Sequence, residues 1–409
     1  WQLTTINVYF TYEHGYNKNL KMGLLKVGGI IMKKFVFAAI VSALVLTGCS
    51  SNNVRTAGVE RKVTWEYAGS LPAQKGFEHN IGTAGVLSGV LEGKYVVVGG
   101  GANFPYDSVL NGGAKKLYSD VYLLEEKDNK LEVVEHINLD NEIGYGASVT
   151  VENGVYYIGG AANADADNDI LFLSMKDGKL NVEKVGDLPF TLQNGAAVEH
   201  NGKLYVMSGK QGGKATNKMY SYDLATKEVV ELAPVPGQAT RTQAVSQVLN
   251  GNLYVFSGGD AIAYTDGYKY DFDKNEWTAV ASVELNGKGI SLLGANSVKL
   301  NDKEMLVIGG FNKEVYDNAV ANLGTLKGEA LAEFRAGYFG ADPAEFNWNR
   351  EVLVYNAEAN TWKSLGQIPF DAPCGEGLAV IGNKIFSING EVKPGVRTPR
   401  MYTGTLLAK

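Results

Sequence analysis

The segment "KYVVVGG", residues 94–100, is predicted to be an apolar strand, and it ends in two glycines. Close copies of it recur as "VYYIGG" (155–160), "NLYVFSGG" (252–259) and "MLVIGG" (305–310). Two degenerate copies are "KLYVMSGK" (203–210) and "KIFSING" (384–390). Successive copies lie about 50 to 60 residues apart, except for a last gap of about 80. Repeats of this period are typical of propellers and solenoids.

Each copy lies among three further strands. A small-residue strand such as "GASVTVENG" precedes it, and a strand with alternating aromatics such as "DVYLLEE" follows. A fourth strand, such as "TWKSLG", comes after a turn. Alternation at period two over four strands predicts a β-meander. Six such units bury their faces when they pack radially, so the sequence predicts an all-β, six-bladed β-propeller.

The two ends of the chain predict how the propeller closes. The segment "VTWEYAGSLP" (63–72) matches the fourth strand "TWKSLGQIP" (361–369), whereas the chain ends at a third strand, "MYTGTLLAK". The last blade therefore lacks its outer strand, and the N-terminal segment can supply it. This pairing would remove two exposed sheet edges at once.

Residues 311–350 interrupt the pattern between the second and third strands of the fifth blade. Part of this insertion, "LKGEALAEF", is predicted to be helical. Its aromatic residues argue against disorder. A long insertion at a single place is usually functional when it is ordered, so we expect it to form a wall or lid.

Composition excludes several classes of function. The chain has 409 residues, 50 of them Gly, and a net charge of −6, which argues against a nucleic-acid partner. His79, His136 and His200 are scattered without ligand spacing, so no metal site is predicted. Nothing resembles a nucleophilic triad or a phosphate-binding loop. No cofactor is expected, and the oligomeric state is left open.

The N-terminal region predicts export. "MKKFVFAAIVSALVLTG" (32–48) has two lysines and then an apolar run too short to span a membrane, as in a secretory signal peptide. It leads to Cys49 in a segment that resembles a bacterial lipobox, which predicts lipidation of Cys49 and a lipid-anchored protein of the cell envelope, facing the periplasm or the exterior. We interpret residues 1–31 as non-native upstream translation, 49–62 as a linker and 63–409 as one propeller domain.

The segment "INGEVKPGVRT" (388–398) places Glu391 and Arg397 on either side of a Pro-Gly turn. Taken alone, this pair is either an ordinary surface hairpin or an acid–base residue with an anion-holding partner. In a propeller, the second-to-third and the fourth-to-first strand connections emerge on the same rim. Unusual polar and aromatic residues in these connections are therefore expected to converge there: Asn80, Asn103, Phe104, Tyr145, Gln193, Asn194, Arg241, Asn312, Glu376, Glu391 and Arg397.

The strand, Gly-Gly, aromatic and Trp pattern resembles Kelch repeats. The segment 388–398, together with "GGGANFPYDSVLNGGAKKLYSDVYLL" (99–124) and "GYFGADPAEFNWN" (337–349), resembles the cyclically permuted group of bacterial sialic acid mutarotases, also called N-acetylneuraminate epimerases. The resemblance implies a six-bladed propeller that interconverts the α and β anomers of sialic acid. It also implies that Glu391 is the acid–base residue and Arg397 its partner.

Four further rim residues are predicted to contact the substrate: Asn103, Tyr145, Arg241 and Asn312. Glu376 departs from the family pattern, which has only small residues at that place. One alternative is a non-catalytic Kelch propeller that binds a glycan or a protein at the cell envelope. A copper-dependent Kelch oxidoreductase is disfavoured because the histidines are few and poorly spaced.

Overall fold

The computed structural model describes residues 61–163 and 165–408. The predicted upstream segment, the signal peptide, Cys49 and nearly all of the linker lie outside these residues. The chain enters the fold through β1 (Arg61–Ser70), the outermost strand of the last blade. Six antiparallel blades then follow in chain order, and strand pairing joins the first two into one continuous sheet.

The first three blades account for residues 87–232. Blade 1 contains β2 (Leu87–Leu91), β3 (Tyr95–Gly99), the short β4 (Ala102–Asn103), β5 (Lys116–Lys127) and β6 (Lys130–Gly144). Blade 2 contains β7 (Ala147–Val151), β8 (Gly154–Ala162), β9 (Asp165–Lys176) and β10 (Lys179–Asp187), and the short β11 (Leu192–Gln193) follows it. Blade 3 contains β12 (Ala196–His200), β13 (Lys203–Met207), the short β14 (Lys210–Gln211) and β15 (Lys214–Ala215), β16 (Met219–Asp223) and β17 (Val229–Leu232).

The last three blades carry the insertion and the closing strands. Blade 4 contains β18 (Val245–Leu249), β19 (Asn252–Phe256), β20 (Gly267–Asp271) and β21 (Glu276–Val280), followed by the short β22 (Glu284–Leu285) and β23 (Lys288–Gly289). Blade 5 contains β24 (Asn296–Asn301), β25 (Glu304–Ile308), the helices α1 (Lys313–Thr325) and α2 (Gly328–Gly340), β26 (Glu351–Asn356) and β27 (Thr361–Gln367). Blade 6 contains β28 (Gly377–Ile381), β29 (Lys384–Ile388), the short β30 (Glu391–Lys393) and β31 (Val396–Arg397), and β32 (Arg400–Ala408).

The blades close into a ring. The innermost strands contact one another in the cyclic order β2, β7, β12, β18, β24, β28 and back to β2. In blade 6, β1 pairs with β32 from Arg61 opposite Ala408 to Ser70 opposite Arg400. The predicted six-bladed, Kelch-like propeller, closed by an N-terminal strand in its last blade, is confirmed.

At the rim, six backbone hydrogen bonds form a closed ring around the propeller axis. One residue per blade donates its N–H to the carbonyl of the next, and the six N···O distances run from 2.7 to 3.4 Å. All six residues have a positive φ, which three of them adopt without cost because they are glycines. The members, in ring order, are Gly85, Gly375, Gly294, Gln243, Asn194 and Tyr145.

The core is divided among the blade interfaces. Six hydrophobic clusters each join two adjacent blades, as when Val98 of blade 1 packs with Phe386 and Ile388 of blade 6. Burying apolar area of this kind contributes roughly 25 cal/mol per Å². Because every blade shares two clusters, the side chains at the rim rest on a closed, packed support.

The insertion forms two helices that reach across part of the rim. The predicted helical segment corresponds to the start of α2, whereas α1 was not predicted from the sequence. On one side, the Tyr316 hydroxyl donates to the Asp260 carbonyl of blade 4 at 2.8 Å. On the other, Arg335 Nη2 donates to the Val109 carbonyl of blade 1 at 3.2 Å. The insertion is therefore an ordered wall between these connections.

Candidate active site

The short hairpin β30–β31 holds the two residues of the predicted catalytic pair. Glu391 lies directly opposite Arg397 in this hairpin, which turns at Pro394 and Gly395. The hairpin is also attached to the connection that leads into β28. The N–H of Glu391 donates to the Cys374 carbonyl and the N–H of Cys374 donates to the Glu391 carbonyl, both at 2.8 Å. Pairing with β31 on one side and with Cys374 on the other thus fixes the backbone of Glu391.

The carboxylate of Glu391 is held at one oxygen. Its Oε1 accepts from the Gly395 N–H at 2.7 Å and from Arg397 Nη1 at 3.2 Å. Its Oε2 has no hydrogen-bond partner among the described residues. The Glu391 side chain is 20% exposed, whereas that of Arg397 is 4% exposed. One carboxylate oxygen is therefore anchored and the other remains available to a ligand.

Arg397 is anchored on its other side by blade 1. Its Nε donates to the Ala102 carbonyl at 3.2 Å, and its guanidinium carbon lies 4.9 Å from the centre of the Phe104 ring. A planar guanidinium over an aromatic face is a favourable cation–π contact. The arginine thus joins the hairpin of blade 6 to the second-to-third connection of blade 1.

The helical insertion packs against the same hairpin. Lys393 Nζ donates to the carbonyls of Ala341 at 2.6 Å and Phe339 at 3.3 Å, at the end of α2. Burial, with a further contribution from the negative charge of Glu391, raises the pKa of Tyr338 to about 12. The phenol of Tyr338 is therefore protonated at neutral pH and lies within the electrostatic reach of the carboxylate.

Asn103 and Tyr145 lie near the pair but make internal contacts. Asn103 is buried, donates to the Gly82 carbonyl at 2.7 Å and accepts from the Tyr118 hydroxyl at 2.8 Å. Tyr145 belongs to the axial ring, and its buried hydroxyl has no partner among the described residues. Their roles as substrate contacts remain predictions.

Arg241 and Asn312 have structural partners. Arg241 is fully buried and donates to both carboxylate oxygens of Asp266, at 2.8 and 2.7 Å, and to the Ser257 carbonyl. Asn312 caps α1, because its side-chain oxygen accepts from the Val315 N–H at 3.1 Å. The structure brings neither side chain into contact with the Glu391–Arg397 pair, and their predicted substrate contacts remain predictions.

Glu376 is the most unusual group beside the site. It is fully buried, and neither carboxylate oxygen has a partner among the described residues. The residues that follow the axial ring in the other blades are small or apolar: Val86, Gly146, Gly195, Ala244 and Ala295. Burial raises the pKa of Glu376 to about 8, so the group is mostly neutral at pH 7.

Space for the Glu376 side chain comes from two glycines at the ends of second strands. A Cβ on Gly390 would lie 3.0 Å from the Glu376 Cβ, and a Cβ on Gly309 would lie 3.9 Å from its Oε1. The sequence showed that Glu376 departs from the family pattern. Its complete burial depends on contacts between blades 5 and 6.

Two small clefts lie beside blade 6, and the first of them is shared with blade 1. Asn389 lines both, and Val392 and Thr398 of the hairpin segment line the second, but Glu391 and Arg397 line neither.

Within residues 61–163 and 165–408, no cluster of three or more His, Cys, Asp or Glu side chains could hold a metal ion. The helices of this part of the chain are too short or too polar to cross a membrane.

Comparisons with known proteins identify the family. The family model described as N-acetylneuraminate epimerase matches residues 25–182 and 185–409. An N-acetylneuraminate epimerase of Yersinia enterocolitica is 34% identical over 204 residues, which cover 47% of this chain and 51% of that relative. One of Salmonella arizonae is 34% identical over 201 residues, covering 46% and 51%. The chain thus spans about half the length of the curated relatives it matches.

A solved structure titled "Structure of YjhT" is 24% identical and covers 55% of this chain and 67% of its own, with a TM-score of 0.48. The family assignment depends on the family model, which matches nearly all of the described residues. This chain belongs to the N-acetylneuraminate epimerase family.

Proposed function

We propose that this protein is a sialic acid mutarotase, an isomerase that interconverts the α and β anomers of N-acetylneuraminate by acid–base assisted ring opening. Membership of the epimerase family supports the substrate. The observation that carries the mechanism is the asymmetric carboxylate of Glu391, with Oε1 held by Gly395 and Arg397 and Oε2 without a partner among the described residues.

The proposed reaction moves one proton twice. Glu391 Oε2 removes the proton of the anomeric hydroxyl while the bond between the anomeric carbon and the ring oxygen breaks. The protonated Glu391 then gives that proton to the ring oxygen, which leaves an open-chain ketone. Rotation and the reverse steps close the ring on the other face. A positioned general base of this kind contributes roughly 10²–10⁴-fold to a rate.

Arg397 supports this role by its charge and position. Its Nη1 donates to Oε1 of Glu391 at 3.2 Å, which leaves Oε2 as the oxygen that can face the anomeric hydroxyl. Because Arg397 is anchored to blade 1 through Ala102 and Phe104, it also fixes the direction in which Oε2 points. The reaction consists of proton transfers within one sugar, so we propose no metal or cofactor.

Anomer exchange measured by NMR tests the proposal. Adding the protein to N-acetylneuraminate should speed magnetisation transfer between the signals of the two anomers. Binding without faster exchange would instead support a non-catalytic glycan-binding propeller. No binding and no exchange would remove sialic acid as the ligand.

We further propose that the mature protein is a lipoprotein of the cell envelope, anchored through Cys49. The support is the signal sequence at 32–48 and the lipobox-like segment that ends at Cys49. Mass spectrometry of the native protein should find a lipidated Cys49 as the first residue. Peptides from residues before Cys49 in the mature protein would contradict this.

A further inference from the structure

Several basic side chains lie on or beside the β30–β31 hairpin, and they differ in whether their charge is already satisfied. Arg397 contacts Glu391 and Ala102, and Lys393 donates to two carbonyls at the end of α2. Arg335 donates to the Val109 carbonyl, and Val109 packs against Gly395 of the hairpin. Lys115 has neither a hydrogen-bond acceptor nor an ion-pair partner among the described residues.

Lys115 is exposed, and its ammonium group lies beside two aromatic rings. Its Nζ lies 4.6 Å from the centre of the Tyr145 ring and 6.0 Å from the centre of the Phe104 ring. The guanidinium of Arg397 lies 4.9 Å from the same Phe104 ring. Lys115 therefore shares a direct neighbour with the catalytic pair. Cation–π contacts restrain the ammonium group while leaving its three N–H donors free.

The anionic group of the substrate needs a cation that is not already neutralised. Arg397 is paired with Glu391, and transferring Nη1 to the substrate would remove one of the two donors that anchor Oε1. An ammonium group can bind a carboxylate through a charge-assisted hydrogen bond. We propose that Lys115 is the substrate-binding residue that holds the carboxylate of the sugar acid, while Arg397 stays with Glu391.

This inference rests on the proposed function for the identity of the ligand, and a binding experiment separates the two. Calorimetry compares N-acetylneuraminate with its methyl ester, which lacks the negative charge, on the full chain. The wild-type protein should bind the acid about tenfold more tightly than the ester, as expected for one charge-assisted hydrogen bond.

Lys115→Met should weaken binding of the acid about tenfold and leave binding of the ester unchanged, and Lys115→Arg should restore the preference. The matched control is Lys116→Met, because Lys116 is the next residue and its Nζ already pairs with Glu142 at 3.3 Å. That variant should keep the wild-type preference. In the exchange assay, Lys115→Met should raise KM with little change in kcat, since the lost contact is equally present in the ground state and the transition state.

Two results would overturn the assignment. One is a Lys115→Met protein that still prefers the acid as strongly as the wild type does. The other is a wild-type protein that binds acid and ester equally. A protein that binds the acid through Lys115 but shows no faster anomer exchange would contradict the proposed catalysis and leave the role of Lys115 intact.

Discussion

Two arginine–carboxylate pairs lie in the rim connections of this propeller, and they differ in how completely they are satisfied. Arg241 is fully buried, contacts both oxygens of Asp266 and donates to backbone carbonyls as well. Arg397 makes one contact with Glu391 and leaves Oε2 without a partner among the described residues. A carboxylate whose two oxygens are both paired stabilises a loop, whereas a carboxylate with a free oxygen can take part in chemistry. Only the second has the geometry of a general base.

The largest expected effect is the loss of activity when Glu391 is replaced. Glu391→Gln keeps the shape of the side chain but removes the base, so the enzyme-dependent rate of anomer exchange should fall by about 10²–10⁴-fold. The measurement is NMR exchange at saturating N-acetylneuraminate. Its unfolding free energy should fall by roughly 1–3 kcal/mol, because Arg397, which is only 4% exposed, loses its counter-charge while the amide oxygen can still accept from it. Near wild-type exchange in a folded Glu391→Gln protein would refute the assignment of the base.

For the Arg241–Asp266 pair we expect a loss of stability with little change in activity. Asp266→Asn leaves the fully buried Arg241 without its counter-charge, and breaking a buried pair from one side costs roughly 3–5 kcal/mol. Urea unfolding should show this loss, while exchange per folded molecule stays within about twofold of wild type. If the variant is stable but loses activity, Arg241 belongs to the site and the distinction between the two pairs fails.

Glu376 provides a pH-dependent test, because its carboxyl group has no hydrogen-bond or ion-pair partner within residues 61–163 and 165–408. Its folded pKa of about 8 lies above the ordinary value of 4.5, so between these values the folded protein retains a proton that the unfolded chain releases. Its contribution to stability is therefore complete below pH 4.5 and falls as the pH rises towards 8, by roughly 1.4 kcal/mol per unit at most.

Glu376→Gln should remove this slope. Relative to wild type, the variant should gain about 2–3 kcal/mol between pH 6 and pH 8. The measurement is the free energy of unfolding in urea at several pH values. Parallel curves for the two proteins would show that Glu376 does not hold its proton in the folded state.

The smallest expected effect is a change in stability at the helical insertion beside the Glu391–Arg397 pair. Asn312→Ala removes the cap of α1 and should cost about 1 kcal/mol. Because Asn312 contacts the Val315 N–H rather than the pair, KM and kcat should change little. A large rise in KM at unchanged stability would instead place Asn312 among the substrate contacts.

Much of the fold was accessible from the sequence because it depends on local repetition. The strands that end in Gly-Gly recur at a nearly regular spacing along the sequence. The segment 63–72 resembles a fourth strand and 401–409 a third strand, which predicts that the two pair in the last blade. The proximity of Glu391 and Arg397 was accessible for the same reason, since they are six residues apart on one hairpin. The helix α1 was missed, because Val, Tyr, Asn and Asp, which have low intrinsic helix propensity, make up much of its sequence.

The sequence alone predicts the six-bladed propeller, its closure and the rim on which the unusual residues gather. The folded structure is needed to see which of these side chains remain available to a ligand. Arg241 forms an ion pair with Asp266, which is 25 residues away in the chain. Glu376 is enclosed between two blades. Lys115 lies beside aromatic rings that come from two different connections. The reason is that burial and pairing depend on side chains that distant segments bring together, whereas repeat period and hairpin spacing are properties of the local chain.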